Sequence, residues 1–375
     1  MDFSLPPELA DLQAEARDVA LAGATRSSFP EDSWLIGYDP EFTRELADRG
    51  WIGMTWPTEE GGHGRSVLER FVVYEQLIAH GAPICAGWFA DRQIGPSLLQ
   101  FGTSEQRQRW LPGIVEGSSM WCIGMSEPDA GSDVASLRTR AERSGDGWVV
   151  NGSKIWTSGA AHAHWCYLIA RTDPDAPRHR GLSEFVVDMG SPGITVTPVT
   201  DMTGNDHFCE VVFEDVFVPA DHMVGELNAS FGQVMRQMEH ERGGIDRFVS
   251  NHALYRDVMD TLSLADLDDP RVRQAVARIE TIYRLGRLMV MREMLGQAPG
   301  GYSAVTKILG TEFEIEVANF CADRLGAHSM LWGQEAGLAG RAARAACYAP
   351  AYTIMGGTVT ILRNVIGERT LGLPR

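Results

Sequence analysis

The sequence lacks the long apolar runs and the cationic leader that mark membrane and secreted proteins. No run of about 18 apolar residues occurs, so we expect no membrane-spanning helix. The opening MDFSLPPELADLQAEA is acidic and contains no basic segment followed by an apolar one, so we expect no secretory signal. We therefore predict a soluble cytoplasmic protein.

The sequence also lacks clustered cysteines and an excess of basic residues. Its six cysteines are scattered without close pairs, which suits reduced thiols better than zinc sites or disulfides. The 33 basic residues face 50 acidic ones, and a net charge of -17 argues against a chain that coats nucleic acid or an anionic membrane. His162 and His164 could form a metal pair, but no third ligand is spaced to join them, so we predict no metal site.

The periodicity changes twice along the chain. Apolar residues at helical spacing from Leu9 to Val19, and a second helical region from Ser66 to His80, predict helices in the first third. Short β-rich runs follow from about residue 118, and the helical period returns from about Ser230. This order predicts an α+β multidomain chain with an N-terminal helical domain (1–117), a small antiparallel β barrel or sandwich (118–226) and a C-terminal helical domain (227–375).

One hairpin is predicted inside the β-rich section. The β-rich runs 148–150 and 153–157 flank Asn151-Gly152, the dipeptide most typical of a two-residue hairpin turn. We therefore expect the chain to reverse direction at this pair.

Two polar motifs are candidates for cofactor binding. MSEPDAGSD, residues 125–133, contains the hydroxyls of Ser126 and Ser132 and a glycine that lets backbone N–H groups approach a ligand. An ordinary loop rich in Asp and Gly would have the same composition. The later GSKIWTSG places Trp156 beside Thr157 and Ser158, which can pack a planar ring and bond its edge, and this favours a cofactor.

These motifs, with WVVNGSKIWTSGA, EVVFEDVFVPADHMVGE and a terminal GTxxIxRxxIxER segment, resemble the acyl-CoA dehydrogenase family. The resemblance covers essentially the whole chain. It implies an N-terminal helical domain, a middle β-barrel domain and a C-terminal four-helix bundle. It also implies FAD as cofactor and the introduction of a double bond between Cα and Cβ of an acyl-CoA thioester, with electron-transfer flavoprotein or another acceptor taking the electrons.

The resemblance also implies a set of site residues. Ser126 would bond the pyrimidine end of the flavin, Trp156 would flank the isoalloxazine, and Ser158 would lie near N5. Ser132 would contact both cofactor and thioester, and Arg242 is a further substrate-binding candidate. The complete set of expected cofactor contacts is Met125, Ser126, Gly131, Ser132, Trp156, Thr157, Ser158, Thr358 and Thr360.

The position where many relatives carry the catalytic glutamate is Gly356, which cannot take a proton. Its backbone N–H can still bond the thioester oxygen, and Thr358 is placed to cap the helix that follows. Other relatives carry the base in a Glu-Arg pair that aligns with Glu241-Arg242. Val234, Met238, Glu241, Ile245 and Phe248 follow a helical spacing, so we expect Glu241 on an apolar stripe. It would be either a base with a raised pKa or a buried ion-pair partner.

Two departures from the family pattern leave other functions open. Asp323 and Ala327 stand where relatives carry Gln and Gly, and RDVMDTLSLADLDDPRVRQ replaces an Arg-x-x-Phe-Gly segment. Both segments reach the FAD of a neighbouring subunit in relatives, so the chain could be a homo-oligomer or one partner of a heterotetramer of the steroid side-chain type. A flavin monooxygenase or oxidase is a third possibility. We expect a branched or bulky acyl group, because removing the base from the terminal loop leaves room there.

Overall fold

The computed structural model describes residues 5–234 and 242–374, which form two compact units. The helical unit contains the described residues of 1–37, 66–83 and 241–375. The sheet unit contains those of 38–65 and 84–240. The predicted domain boundaries after residues 117 and 226 stay a prediction.

Helices make up both ends of the described chain. In chain order they are α1 (Pro7–Ala24), α2 (Ser33–Ile36), α3 (Pro40–Asp48), α4 (Val67–Ala79), α5 (Cys85–Phe89), α6 (Gly95–Phe101), α7 (Ser104–Val115), α8 (Asp246–Val249), α9 (His252–Met259), α10 (Leu264–Asp268), α11 (Pro270–Met294), α12 (Tyr302–Leu325), α13 (Leu338–Tyr352) and α14 (Val359–Val365). The helices predicted near Leu9 and after Ser66 are confirmed as α1 and α4. Among the described helices, none combines the length and the apolar character needed to cross a membrane.

Local chemistry explains where these helices begin. Proline occupies the first turn of α1, where its missing N–H costs nothing. Ser66 and Glu69 form a capping box at the start of α4, so each side chain satisfies a backbone N–H of the other residue. Helix α12 is buried along much of its length. Gly310 lets it approach Arg247 closely, because a Cβ at Gly310 would lie 2.5 Å from the Arg247 carbonyl oxygen.

The sheet unit is built on one eight-stranded sheet. Its strands are β1 (Trp121–Gly124), β2 (Arg140–Ser144), β3 (Gly147–Ser158), β4 (Trp165–Arg171), β5 (Leu182–Asp188), β6 (Ile194–Val199), β7 (Phe208–Pro219) and β8 (Met223–Val224). They follow the order β6-β7-β3-β2-β4-β5-β8, with β1 also beside β4. Strand β4 pairs in parallel with β1 and with β2. All the other pairs, including β4 with β5, are antiparallel.

The predicted hairpin turn at Asn151-Gly152 is wrong. Both residues lie inside β3, and β7 pairs with β3 on both sides of them. A bulge at this pair interrupts the register, and the Asn151 amide exchanges two hydrogen bonds with Asp215 across it, at 3.0 and 2.9 Å. The chain reverses earlier, between Ser144 and Gly147. A long partner strand thus overrides the local turn preference of Asn-Gly.

Candidate active site

In the sheet unit, the 125–133 loop is fixed to β3 by a buried ion pair. The Lys154 ammonium, with no exposed surface, donates to the Glu127 carboxylate at 2.8 Å and to the Met125 carbonyl at 3.1 Å. The backbone N–H groups of Arg138 and Thr139 also donate to Glu127, at 2.6 and 2.8 Å. The loop bearing the first motif and the strand bearing the second are therefore held as one piece.

Burial acts on the pKa values of Lys154 and Glu127 in opposite directions, in each case against the charged form. Burial lowers the pKa of Lys154, and the neighbouring Glu127 opposes that shift. Burial would raise the pKa of Glu127, but the Lys154 ammonium and the amide donors outweigh it and lower this pKa below its ordinary value. Each partner thus favours the charged form of the other.

The same loop presents its small polar residues outward. A tight turn closes between Glu127 and Ala130, with backbone hydrogen bonds of 2.9 and 3.0 Å in both directions. Gly131 and Ser132 follow it and are exposed, and a Cβ added at Gly131 would meet no atom within 4 Å. Ser126 is half-buried, and its carbonyl accepts a hydrogen bond of 2.9 Å from the Ile155 N–H. The predicted contact residues of this loop therefore lie at an accessible surface.

The second motif contains a strained bulge. The register of β3 against β7 shifts between Lys154 and Thr157, and Trp156 within the bulge has a φ of 60°. This left-handed conformation is costly for a bulky residue and is typical of functional sites. The Trp156 indole is 54% exposed and contacts Phe208 edge to face, at a centroid distance of 5.6 Å. The bulge thus holds a large flat aromatic surface in an accessible position.

Thr157, unlike the exposed Trp156 beside it, is buried. It is 1% exposed, and its hydroxyl has no hydrogen-bond partner within the described chain. An unsatisfied buried hydroxyl costs about 1–3 kcal/mol. The half-buried Ser158 follows Thr157. The exposed Trp156 face can pack a planar ring and the Ser158 hydroxyl can bond the edge of such a ring, so the residues present fit a flavin.

In the helical unit, Gly356 and Gly357 form a turn whose carbonyls are held by two cations. Their φ angles are 64° and 94°, values that glycine adopts without strain. The Arg242 Nε donates to the Gly356 carbonyl at 3.3 Å, and the Lys307 Nζ donates to the Gly357 carbonyl at 2.8 Å. The predicted cap is confirmed, because the Thr358 hydroxyl accepts a hydrogen bond of 3.2 Å from the Ile361 N–H. Thr360 is exposed on α14.

Glu241, the predicted base, lies outside the described residues, as does Met238. The stripe expected to continue through it does not belong to one helix. The helix containing Arg242 ends at Gly243-Gly244, and α8 begins only at Asp246. Two consecutive glycines weaken a helix by roughly 1 kcal/mol each, which explains the break. The Glu293 carboxylate fills the space at Gly243, 2.4 Å from where a Cβ would stand.

The two histidines considered as metal ligands have structural contacts. The His164 Nδ1 accepts a hydrogen bond of 2.9 Å from the Met120 N–H, and the His162 ring stacks on Tyr38 at 4.2 Å. Within the described residues, no group of three His, Cys, Asp or Glu side chains could hold a metal ion. None of the six cysteines forms a disulfide there.

Three residues of these arrangements were missed by the sequence reasoning. Glu127, Lys154 and Lys307 are all buried. The two lysines donate to backbone carbonyls of predicted site segments, and Glu127 pairs with Lys154. One signal in the sequence could have found two of them: the chain contains only two lysines among its 33 basic residues. A residue type so rare is informative wherever it occurs.

Comparison with known proteins gives a consistent assignment along the whole chain. Family models for the acyl-CoA dehydrogenase N-terminal, middle and C-terminal domains match residues 7–118, 122–216 and 231–371. The acyl-CoA dehydrogenase IpdE1 of Mycobacterium tuberculosis is 36% identical over 340 residues, covering 89% of this chain and 88% of that protein.

Two solved structures are similar over their full length. A structure described as the Tcur3481-Tcur3483 steroid ACAD has a TM-score of 0.89 and 32% identity, covering 100% of both chains. The ChsE4-ChsE5 complex of Mycobacterium tuberculosis has a TM-score of 0.86 and 31% identity, again covering 100% of both. With its three matched domains and the flavin-compatible motif around Trp156, this chain belongs to the acyl-CoA dehydrogenase family of FAD-dependent oxidoreductases that act on CH–CH groups.

Proposed function

We propose that this protein catalyses the α,β-dehydrogenation of an acyl-CoA thioester with a branched or bulky acyl group. The observation that carries the proposal is the bulge at Trp156, which holds a large exposed aromatic face in a left-handed backbone conformation. Such strain persists only where the surrounding structure maintains it, and it is typical of ligand-binding and active sites.

The proposed FAD contacts of the sheet unit are Met125, Ser126, Gly131, Ser132, Trp156, Thr157 and Ser158. Those of the helical unit are Thr358 and Thr360. When bound, FAD supplies the acceptor for the hydride that leaves Cβ. The protein's own task is to bind the thioester, exclude water and remove the proton from Cα.

Proton removal is assigned to Glu241, with polarisation of the thioester oxygen by the Gly356 N–H. Ser132 and Arg242 are the proposed substrate contacts. The structure gives a physical reason for glycine at 356: its φ of 64° lies in a region that costs other residues roughly 1–2 kcal/mol. A glutamate placed there would strain the turn, so a base located elsewhere is compatible with this backbone.

The test is to purify the chain, record its flavin spectrum and titrate it with a panel of straight, branched and polycyclic acyl-CoA thioesters. Glu241→Gln should reduce the rate of flavin bleaching by about 10²- to 10⁴-fold, the usual contribution of a positioned base. Glu316→Gln is the matched control, since this glutamate forms an exposed ion pair with Arg278. Bleaching at the wild-type rate in Glu241→Gln would refute the assignment of the base.

A second candidate function is that of a partner subunit in a heteromeric dehydrogenase. It is favoured by Asp323 and Ala327 and by the two similar structures, each described by a pair of protein names. A colourless protein that retains FAD only when co-expressed with a related chain would favour the heterotetramer over the homo-oligomer. Reduced flavin that reoxidises rapidly in oxygen would favour a monooxygenase or oxidase. Slow reoxidation would leave electron-transfer flavoprotein or another protein as the acceptor, with the cytoplasm as the proposed location.

A further inference from the structure

The chain uses lysine at only two positions, and both have the same kind of contact. All other basic residues are arginines. Lys154 and Lys307 both have no exposed surface. Each ammonium group donates to a backbone carbonyl of a predicted site segment, Lys154 to Met125 and Lys307 to Gly357.

This distribution is opposite to the ordinary use of lysine. Lysine is among the residues that are almost never fully buried, because its strongly hydrated ammonium loses solvation. A compact ammonium differs from the planar guanidinium in that it can approach a single carbonyl closely in a narrow space. This chain uses arginine at exposed positions and also at buried ones such as Arg247 and Arg344. The two lysines are distinguished by having no exposed surface and by donating to single backbone carbonyls.

The contact of Lys307 fixes the direction of a backbone amide. No cis peptide bond occurs in the described chain, so each carbonyl points opposite to the N–H of the same peptide unit. Arg242 holds the Gly356 carbonyl and Lys307 holds the Gly357 carbonyl. The N–H groups of Gly357 and Thr358 therefore point away from these two cations. Neither N–H has a backbone acceptor within the described residues.

The same contact also strengthens these amides as donors. A hydrogen bond to a carbonyl polarises its peptide unit and makes the attached N–H a better donor. The ammonium also places a positive charge next to the turn, and this charge would stabilise an oxyanion bound by the turn's N–H groups. Lys307 can thus act on a reacting oxygen without touching it.

We propose that Lys307 is a positioning residue for the dehydrogenation. It holds the Gly357 carbonyl and so fixes the Thr358 N–H of the same peptide unit. In the fixed turn, the Gly357 and Thr358 N–H groups add to the Gly356 N–H in stabilising the thioester oxygen as enolate charge develops there. This inference rests on the proposed function. It assigns Lys154 a separate effect, on the loop that contacts FAD.

The first test compares Lys307→Met with Lys307→Arg. For an acyl-CoA that bleaches the wild-type flavin, Lys307→Met should lower kcat about 10- to 100-fold, while KM changes less than about threefold. Lys307→Arg, which keeps a charged donor, should recover part of kcat. A merely structural lysine would lower FAD content and leave kcat per bound flavin unchanged.

The second measurement uses acetoacetyl-CoA, a thioester with an acidic α-proton, and does not require turnover. The pH at which the bound ligand ionises should rise by about one unit in Lys307→Met, because the donors that stabilise its oxyanion are displaced. Lys154→Met should weaken FAD retention without this change in the ionisation of any ligand that still binds. An unchanged ionisation pH in Lys307→Met, together with an unchanged kcat, would overturn the proposal.

The third measurement uses the wild-type protein, in case Lys307→Met does not fold. Amine acylation followed by mass spectrometry can follow both lysines separately, because no other lysine exists in the chain. Acetoacetyl-CoA should slow acylation of Lys307 about tenfold or more, because a bound oxyanion stabilises the turn in which Lys307 contacts the Gly357 carbonyl. The acylation rate of Lys154 should not change. An equal rate at Lys307 with and without the ligand would contradict the proposal.

These outcomes separate the inference from the proposed function. If no acyl-CoA bleaches the flavin but acetoacetyl-CoA ionises and protects Lys307, the dehydrogenation fails and the role of Lys307 at an oxyanion site stands. If the wild type and Lys307→Met bleach equally, the proposed function stands and the role of Lys307 fails.

Discussion

The candidate site segments of the two units, 125–158 in the sheet unit and 356–360 in the helical unit, are held in place by different interactions. In the sheet unit, regular strands are interrupted by a bulge, and Lys154 is paired with the Glu127 carboxylate. In the helical unit, two glycines with positive φ form the turn, and Lys307 donates directly to its carbonyl. The first region depends on charge pairing between a loop and a strand, and the second on the conformational freedom of glycine.

The largest expected effect comes from Lys154→Met. It leaves the Glu127 carboxylate buried without its cation, and breaking such a pair costs about 3–5 kcal/mol. Unfolding in denaturant and FAD content should both show the loss. The double variant Lys154→Met with Glu127→Gln should be more stable than the single variant, since no buried charge remains. If Lys154→Met unfolds like wild type, charge pairing does not hold the sheet-unit region.

The pH dependence of stability should differ between the two units. Burial raises the pKa of Glu184 in the sheet unit to about 7, while bonds from Tyr167, Gln233 and Ser230 oppose the shift. Burial raises the pKa of Glu314 in the helical unit to about 8. Above pH 4.5, which is the ordinary pKa of a glutamate carboxyl, the folded state therefore binds more protons than the unfolded state. Stability falls as pH rises, by at most about 1.4 kcal/mol per unit and group.

Denaturant unfolding between pH 5 and 8 measures this difference. Glu184→Gln should remove the part of the slope that ends near pH 7, and Glu314→Gln the part that continues to about pH 8. Stability that instead rises with pH across this window, and does so equally in both variants, would show that neither carboxyl carries a raised pKa.

Glycine substitutions should affect the two regions unequally. Gly357→Ala should cost about 1–3 kcal/mol, because its φ of 94° strains an L residue and the new Cβ would lie 3.3 Å from the Arg242 Nη2. The matched control is Gly131→Ala in the sheet-unit loop, where φ is not in the left-handed region and space is open. Its effect should stay within about 0.5 kcal/mol. Equal thermal shifts for the two variants would remove the distinction between the regions.

The smallest effect is expected for Thr157→Val. The apoprotein should keep its stability or gain up to about 1 kcal/mol, because an unsatisfied buried hydroxyl is replaced by a methyl group. FAD affinity should fall about tenfold, the value of one hydrogen bond to a ligand. Thr195→Val, on the exposed face of β6, is the control for FAD binding. Unchanged FAD affinity in Thr157→Val would show that the hydroxyl does not contact the cofactor.

Sequence patterns predicted much of this molecule because the relevant signals are local. The helical periods at α1 and α4 and the cap at Thr358 each depend on residues within a few turns of one another. The hairpin at Asn151-Gly152 failed because pairing with β7, more than 50 residues away, outweighs a two-residue preference. The helix expected to continue from Arg242 to Phe248 is interrupted at Gly243-Gly244, because consecutive glycines weaken a helix.

By itself, the sequence determined the order of helical and β-rich sections and the family, and it supplied the proposed site residues. Only the tertiary structure decided how the segments that contain them are held. Lys154 and Glu127 are 27 residues apart, and Lys307 and Gly357 are 50 apart, so no short-range pattern connects them. A buried cation is stable only where folding brings an acceptor within hydrogen-bond distance. The partner of each lysine, and therefore its role, is a property of the fold.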